Sequence, residues 1–181
     1  MWKENRTTIL FLLKFGRFFG GLSALYSSWI DTYNEAPDPM TQWVSSHTVS
    51  LMNLVGFEVY DGLTPEEVST TIYLDNQSSI RVFEGCNGIA VFILFLSFIW
   101  AFDSRWQTVI YSAVGVVIIH LTNLVRLAGL TWISVHRPEM MYFTHKYLFT
   151  LVIYAVVFGI WVIFVRNAMK AASGGRKAET A

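Results

Sequence analysis

The stretch Thr108-Val-Ile-Tyr-Ser-Ala-Val-Gly-Val-Val-Ile-Ile-His120-Leu-Thr-Asn-Leu-Val-Arg126-Leu-Ala-Gly-Leu-Thr-Trp-Ile-Ser-Val135 runs for 28 residues with one formal charge, Arg126. At 1.5 Å per residue it makes a helix of about 42 Å, more than the roughly 30 Å hydrocarbon core of a bilayer. A segment this long and this apolar predicts a membrane span. The whole chain agrees. Of 181 residues, 54% are hydrophobic and 14% charged, with mean hydropathy +0.44; soluble domains carry about a quarter charged residues. This composition excludes a disordered, collagen-like or coiled-coil chain. Sixteen per cent aromatic residues, seven of them Trp, suit a chain that meets lipid interfaces. Thirteen basic and thirteen acidic residues cancel, so no nucleic-acid partner is expected. The single cysteine, Cys86, excludes intrachain disulfides and thiolate-rich metal sites, and no metal or cofactor is called for.

Working outward, three further apolar stretches read as spans: Thr8 to Ile30, interrupted by Lys14 and Arg17; Gly88 to Phe102; and His145 to Val165. The Gly88 stretch is short unless its helix begins near Cys86. Basic residues collect in the N-terminal flank (Lys3, Arg6), the turn at Arg105 and the tail (Arg166, Lys170, Arg176, Lys177), which predicts a shared cytoplasmic side. Residues 31–85 then lie outside, carrying nine acidic side chains against Arg81 alone. The N-terminal stretch has no clear small-residue cleavage site and reads as an uncleaved anchor. The expected fold is an all-α polytopic bundle of about four transmembrane helices, N-in and C-in. Residues 1–168 form one membrane domain, and 169–181, with Gly174-Gly175, form a disordered cytoplasmic tail.

The external segment predicts a small cap. Pro37 and Pro39 end the first helix. Thr41 to Phe57 reads as an amphipathic helix at the membrane surface or dipping into it. Asp61-Gly62 and Thr64-Pro65 read as turns. Thr70 to Leu74 and Ile80 to Phe83 read as two strands joined by the polar loop Asp75 to Ser79, a hairpin leading into Glu84-Gly-Cys-Asn-Gly88.

Depth arithmetic brings three reactive side chains to one plane. Cys86 stands at the outer start of the second span. Arg126 lies eighteen residues beyond Thr108, about 27 Å along the third span and so near its outer boundary. His145 stands at the outer entrance of the fourth. A thiol, a guanidinium and an imidazole suit acyl transfer: Cys86 attacks a carbonyl, His145 handles protons, and Arg126 stabilises the oxyanion or favours the thiolate. Arg is a poor general base, which leaves that task to His145. Asn123, one turn before Arg126, and Asn87, beside the thiol, are candidate substrate contacts. His120 is too deep for this cluster and reads as a packing or hydrogen-bonded residue. His136, external and next to Arg137, is the rival base.

Three motifs then resemble the exosortase/archaeosortase family in order: Glu84-Gly-Cys-Asn-Gly-Ile89, Asn123-Leu-Val-Arg-Leu127, and His145 before an aromatic-rich helix. The short chain and the Glu-Gly-Cys-Asn-Gly wording look most like the F-type exosortase of Bacteroidetes. The resemblance implies a Cys-dependent transpeptidase of the bacterial inner membrane. Its site would face the periplasm and act on C-terminal sorting signals of exported proteins. Cys86 would be nucleophile, Arg126 transition-state stabiliser and His145 base. The implied partners are the sorting-signal helix, the bilayer and a small membrane protein. Two departures stand out: many relatives have about eight spans, and many read Cys-Ser-Gly where this chain has Cys-Asn-Gly. A substrate helix would need a close approach, for which Gly115, Gly129 and Gly159 are candidates. The competing reading is a non-enzymatic envelope scaffold, which would need the cap but not the thiol.

Overall fold

A computed structural model describes residues 6–33, 35–64, 67–102 and 106–179. Lys3, Pro65 and Arg105, with the turns expected around the last two, lie outside the described residues. The described chain contains helix α1 (Arg6–Ile30), helix α2 (Pro39–Leu54), strands β1 (Val59–Thr64), β2 (Ser69–Leu74) and β3 (Gln77–Val82), helix α3 (Ile89–Phe102), helix α4 (Trp106–His136) and helix α5 (Phe149–Glu179). Three stretches are long and apolar enough to cross a membrane: Arg6–Ile30, Trp106–His136 and Pro138–Lys170. The second expected span is shorter, because α3 has 14 residues, about 21 Å of rise. Its helix does not begin at Cys86. Gly88 takes φ +85° and interrupts it, while Asn87 Oδ1 accepts from Ile89 N and caps the new start. At the other end of the chain, α5 continues past Val165 through Gly174-Gly175 to Glu179, across the segment expected to be irregular. The Ala, Met, Lys and Arg residues there are strong helix formers.

The cap differs from a simple hairpin. It is a three-stranded antiparallel sheet in the order β1-β2-β3. Asp61 and Gly62, which read as a turn, sit inside β1 opposite Ile72 and Thr71. The turn between β2 and β3 is only Asp75-Asn76, both with positive φ (51° and 62°), as a two-residue hairpin loop requires. Asn53 clasps the start of β1 to the end of α2: its Nδ2 donates to Val59 O and its Oδ1 accepts from Val59 N. Helix α2 does more than rest on lipid. Asp38 caps its N-terminus, and its length packs along α4, burying Val44 and Met52 among Ile72, Leu74, Leu124, Leu127 and Cys86.

A second core at bundle level joins Phe95, Ile99, Ile119, Val157 and Phe164. Here α3, α4 and α5 meet closely. Phe95 packs on Gly115 and Phe149 on Gly129 so tightly that a Cβ at either glycine would overlap the ring. Those two glycines serve internal packing instead of an incoming helix, and only Gly159 of the three faces open space. Gly115→Leu should therefore destabilise the bundle by about 2–3 kcal/mol through overpacking. Gly159→Leu should leave thermal unfolding in detergent unchanged. Equal melting of the two variants would contradict this packing.

Contacts between helices align their depths. Asn87 Nδ2 donates to Tyr26 Oη of α1 at 2.9 Å, and Asn123 Nδ2 of α4 donates to Cys86 O at 2.9 Å. From this common plane α1 runs back about 30 Å to Arg6 and α4 about 26 Å to Trp106. That fills one hydrocarbon core. Past the plane α4 continues about 20 Å to His136; the sheet packs against this projecting part, and α2 lies along α4 on both sides of the plane, reaching down to His120.

Candidate active site

Cys86 closes a short 3-10 turn, Glu84–Cys86, directly after β3. The sheet delivers the thiol to the seam between cap and bundle, where it is 6% exposed. Burial pushes the thiol pKa up; a backbone hydrogen bond from Phe83 and the charge of Arg126 pull it down, and Glu84 adds to the rise. Burial is the largest of these, so the resting group is a thiol. Alkylation by iodoacetamide should be slow at neutral pH and still accelerate above the ordinary thiol range. Arg126→Gln, which removes an acidifying charge, should move that rise to higher pH. A rate independent of pH would mean the thiol is not held in this environment.

The structure links the three predicted residues through a fourth, starting from the Cys86 backbone. Asn123 Nδ2 donates to the backbone carbonyl of Cys86 at 2.9 Å, and Asn123 Oδ1 accepts from Arg126 Nη1 at 3.3 Å. Arg126 Nη2 lies 3.5 Å from His145 Nε2. A guanidinium only donates, so in this contact His145 Nε2 offers its lone pair and the ring proton sits on Nδ1. Arg126 Nε is buried and has no hydrogen-bond partner. A buried guanidinium N–H without a partner is a donor held ready for an incoming oxygen.

His145 is aimed by a feature that the residue pattern does not announce. The chain enters α5 through a 3-10 turn (Pro138–Met140), one helical turn and then a π-helical stretch, Thr144–Leu148. The wider turn rotates His145 relative to a regular helix, and such bulges recur at functional sites. Thr144, beside it, is fully buried with an unpartnered Oγ1. The rival base stays away: His136 stacks on Trp132 and its Nδ1 lies 3.1 Å from that residue's carbonyl oxygen.

Two candidate substrate contacts have structural duties. Asn87 is 0% exposed; its Nδ2 donates to Tyr26 Oη and at 3.5 Å to Thr41 Oγ1, while its Oδ1 caps α3. Asn123 is 1% exposed and uses both ends of its amide as described. Both orient the backbone around Cys86. Tyr26, Thr41 and Asp38 extend the same network: Tyr26 Oη donates to Glu84 O at 3.4 Å, and Thr41 Oγ1 donates to Asp38. His120 is hydrogen-bonded, in line with the reading of it as a packing or hydrogen-bonded residue, and its partner comes from α2. His47 Nδ1 and His120 Nε2 are 3.2 Å apart, with Trp43 against both rings. Asp38 and Thr41 are three residues apart, the spacing of a local helix cap, but the contacts of Tyr26 with Glu84, Thr41 with Asn87 and His47 with His120 each join separate elements, so no spacing could have paired them.

No curated protein and no solved structure matches the chain. The sequence does match a family described as transmembrane exosortase over residues 7–165. That range takes in Cys86, Asn123, Arg126 and His145 and all four helices of the bundle down to Val165. This multi-pass membrane chain therefore belongs to the transmembrane exosortase family.

Proposed function

We propose that this chain is a membrane-embedded cysteine transpeptidase acting on C-terminal sorting signals of exported proteins, nearest in kind to the F-type exosortase of Bacteroidetes. Membership of an exosortase family supplies the reaction class. The observation that carries the rest is the relay from the Cys86 carbonyl through Asn123 and Arg126 to His145, with the unpartnered Arg126 Nε–H beside it. In this reading the Cys86 thiol gives its proton to His145 and attacks the scissile carbonyl, whose oxygen gathers charge and takes the Arg126 donor. The C–N bond breaks, the leaving amine takes the proton from His145, and a thioester remains. Water or an acceptor amine then displaces the thiol.

The same reading orients the molecule in the inner membrane. The acidic cap faces the periplasm. Arg6, Arg166 and Lys170 stand at the opposite end, on the cytoplasmic side. The site then lies at the outer boundary, where a tail-anchored substrate would present the residues just outside its own helix.

The test is intact mass of a tail-anchored candidate substrate expressed with and without the chain. Loss of the C-terminal helix only when the chain is present supports the enzyme. A residual mass ending in a free carboxylate indicates hydrolysis, and an added defined group indicates transfer. Identical masses across a panel of sorting-signal substrates would favour the scaffold reading.

A further inference from the structure

Two cations on α1 are unused by the site. Lys14 and Arg17 line a cleft of about 300 Å³ with Phe18 and Trp100. Lys14 also borders a second cleft, of about 590 Å³, toward Phe98, Phe102 and Val165. Arg17 lies nine residues below Tyr26, about 14 Å beneath the plane of the site, and about 16 Å from Arg6 at the far end. It is thus near mid-membrane. Even with its head snorkelled toward the N-terminal end of α1, Arg17 stays several ångströms inside the level of Arg6.

Intramembrane cations normally face a bundle interior or pair with an opposite charge. Here neither Lys14 nor Arg17 has an ion pair or hydrogen bond to a described residue, and both are exposed. Helix α1 buries none of its residues and packs chiefly on α3. Lys14, Arg17, Phe18 and Gly21 fall three and four residues apart, on one face of α1. A Cβ at Gly21 would meet nothing within 4 Å. The face is therefore open, cationic at half depth, and smooth one turn above the charge.

We propose that this cleft receives a partner transmembrane helix carrying a carboxylate near its middle. Charge decides the occupant. A second copy of this chain cannot supply the anion, because residues 6–30, 89–102, 106–136 and 149–170 contain no Asp or Glu. A lipid phosphate sits in the headgroup layer, away from Arg17. An apolar helix without charge would leave both cations unpaired. The cleft is separate from Cys86, so the proposal does not depend on the chemistry assigned there.

The test uses the full chain in phosphatidylcholine vesicles with a labelled synthetic Leu/Ala helix of about 22 residues. The helix carries one central Glu, or Gln as control, and association is read by energy transfer. The Glu helix should associate with the wild-type chain. Binding should fall at least about tenfold with the Gln helix, or with the double variant Lys14→Leu/Arg17→Leu. Exchanging the cations, Lys14→Arg/Arg17→Lys, should retain it. An unchanged iodoacetamide rate at Cys86 would show that the double variant is folded. Equal association of the Glu and Gln helices, or undiminished binding by the folded double variant, would overturn the proposal. So would Glu-specific binding abolished by phosphatidylglycerol, since the cleft would then be a lipid-phosphate site.

Discussion

Cys86→Ala is expected to abolish processing of a sorting-signal substrate, a fall of at least about three orders of magnitude in rate, with the fold retained. The thioester route needs a sulfur nucleophile, and this is the only cysteine in the chain. Cys86 belongs to the buried cluster that contains Val44, Met52, Val82 and Leu127, so losing one sulfur atom leaves a small void costing about 1 kcal/mol. Cys86→Ser should restore almost nothing. A hydroxyl is a far weaker acid than a thiol, and its oxygen a poorer nucleophile at neutral pH. Intact mass of substrate co-expressed with each variant measures the effect, and circular dichroism of the purified variants checks the fold. Processing by Cys86→Ala at the wild-type rate would remove the thiol from the mechanism and leave the scaffold reading ahead.

The second large effect is expected at Arg126. Arg126→Gln should slow processing by about 10²- to 10³-fold, the usual loss when one donor to a developing oxyanion is removed. Asn123→Ala should act on the same step from a distance. It releases both the Cys86 carbonyl and the Arg126 guanidinium, and it costs about 1–3 kcal/mol of stability because a buried carbonyl loses its partner. Since the two residues work as one relay, the double variant should be less impaired than the product of the singles, with a coupling of about 0.5–3 kcal/mol. Rates of all four proteins on one substrate give the cycle. Strictly multiplicative losses would mean that Asn123 does not position Arg126, even though the two touch.

The candidate site was legible in outline because its parts are rare in their setting. An Arg inside an apolar run, a lone Cys at the mouth of another and a His at the entrance of a third each stand out against lipid-facing composition. Helix rise converts their positions into depths without any knowledge of packing. The cap was harder to read. Asp-Gly inside β1 carries a strong turn signal, yet pairing with β2 holds it extended. The two-residue Asp75-Asn76 turn was hidden inside a longer polar stretch, because Gln77, Ser78 and Ser79 are polar too and do not show where a strand resumes.

By itself, the order of residues determined that the chain is a helical membrane protein, where its long spans lie, and that Cys86, Arg126 and His145 share a level. Those properties follow from transfer energy and helix geometry, which act along one segment at a time. Tertiary structure alone decided that Asn123 joins Cys86 to Arg126, that Gly115 and Gly129 seat Phe95 and Phe149, and that His47 meets His120. Each of these depends on how helices rotate about their axes and which faces they press together. Rotation is set by side-chain packing between segments distant in sequence, and no local period records it.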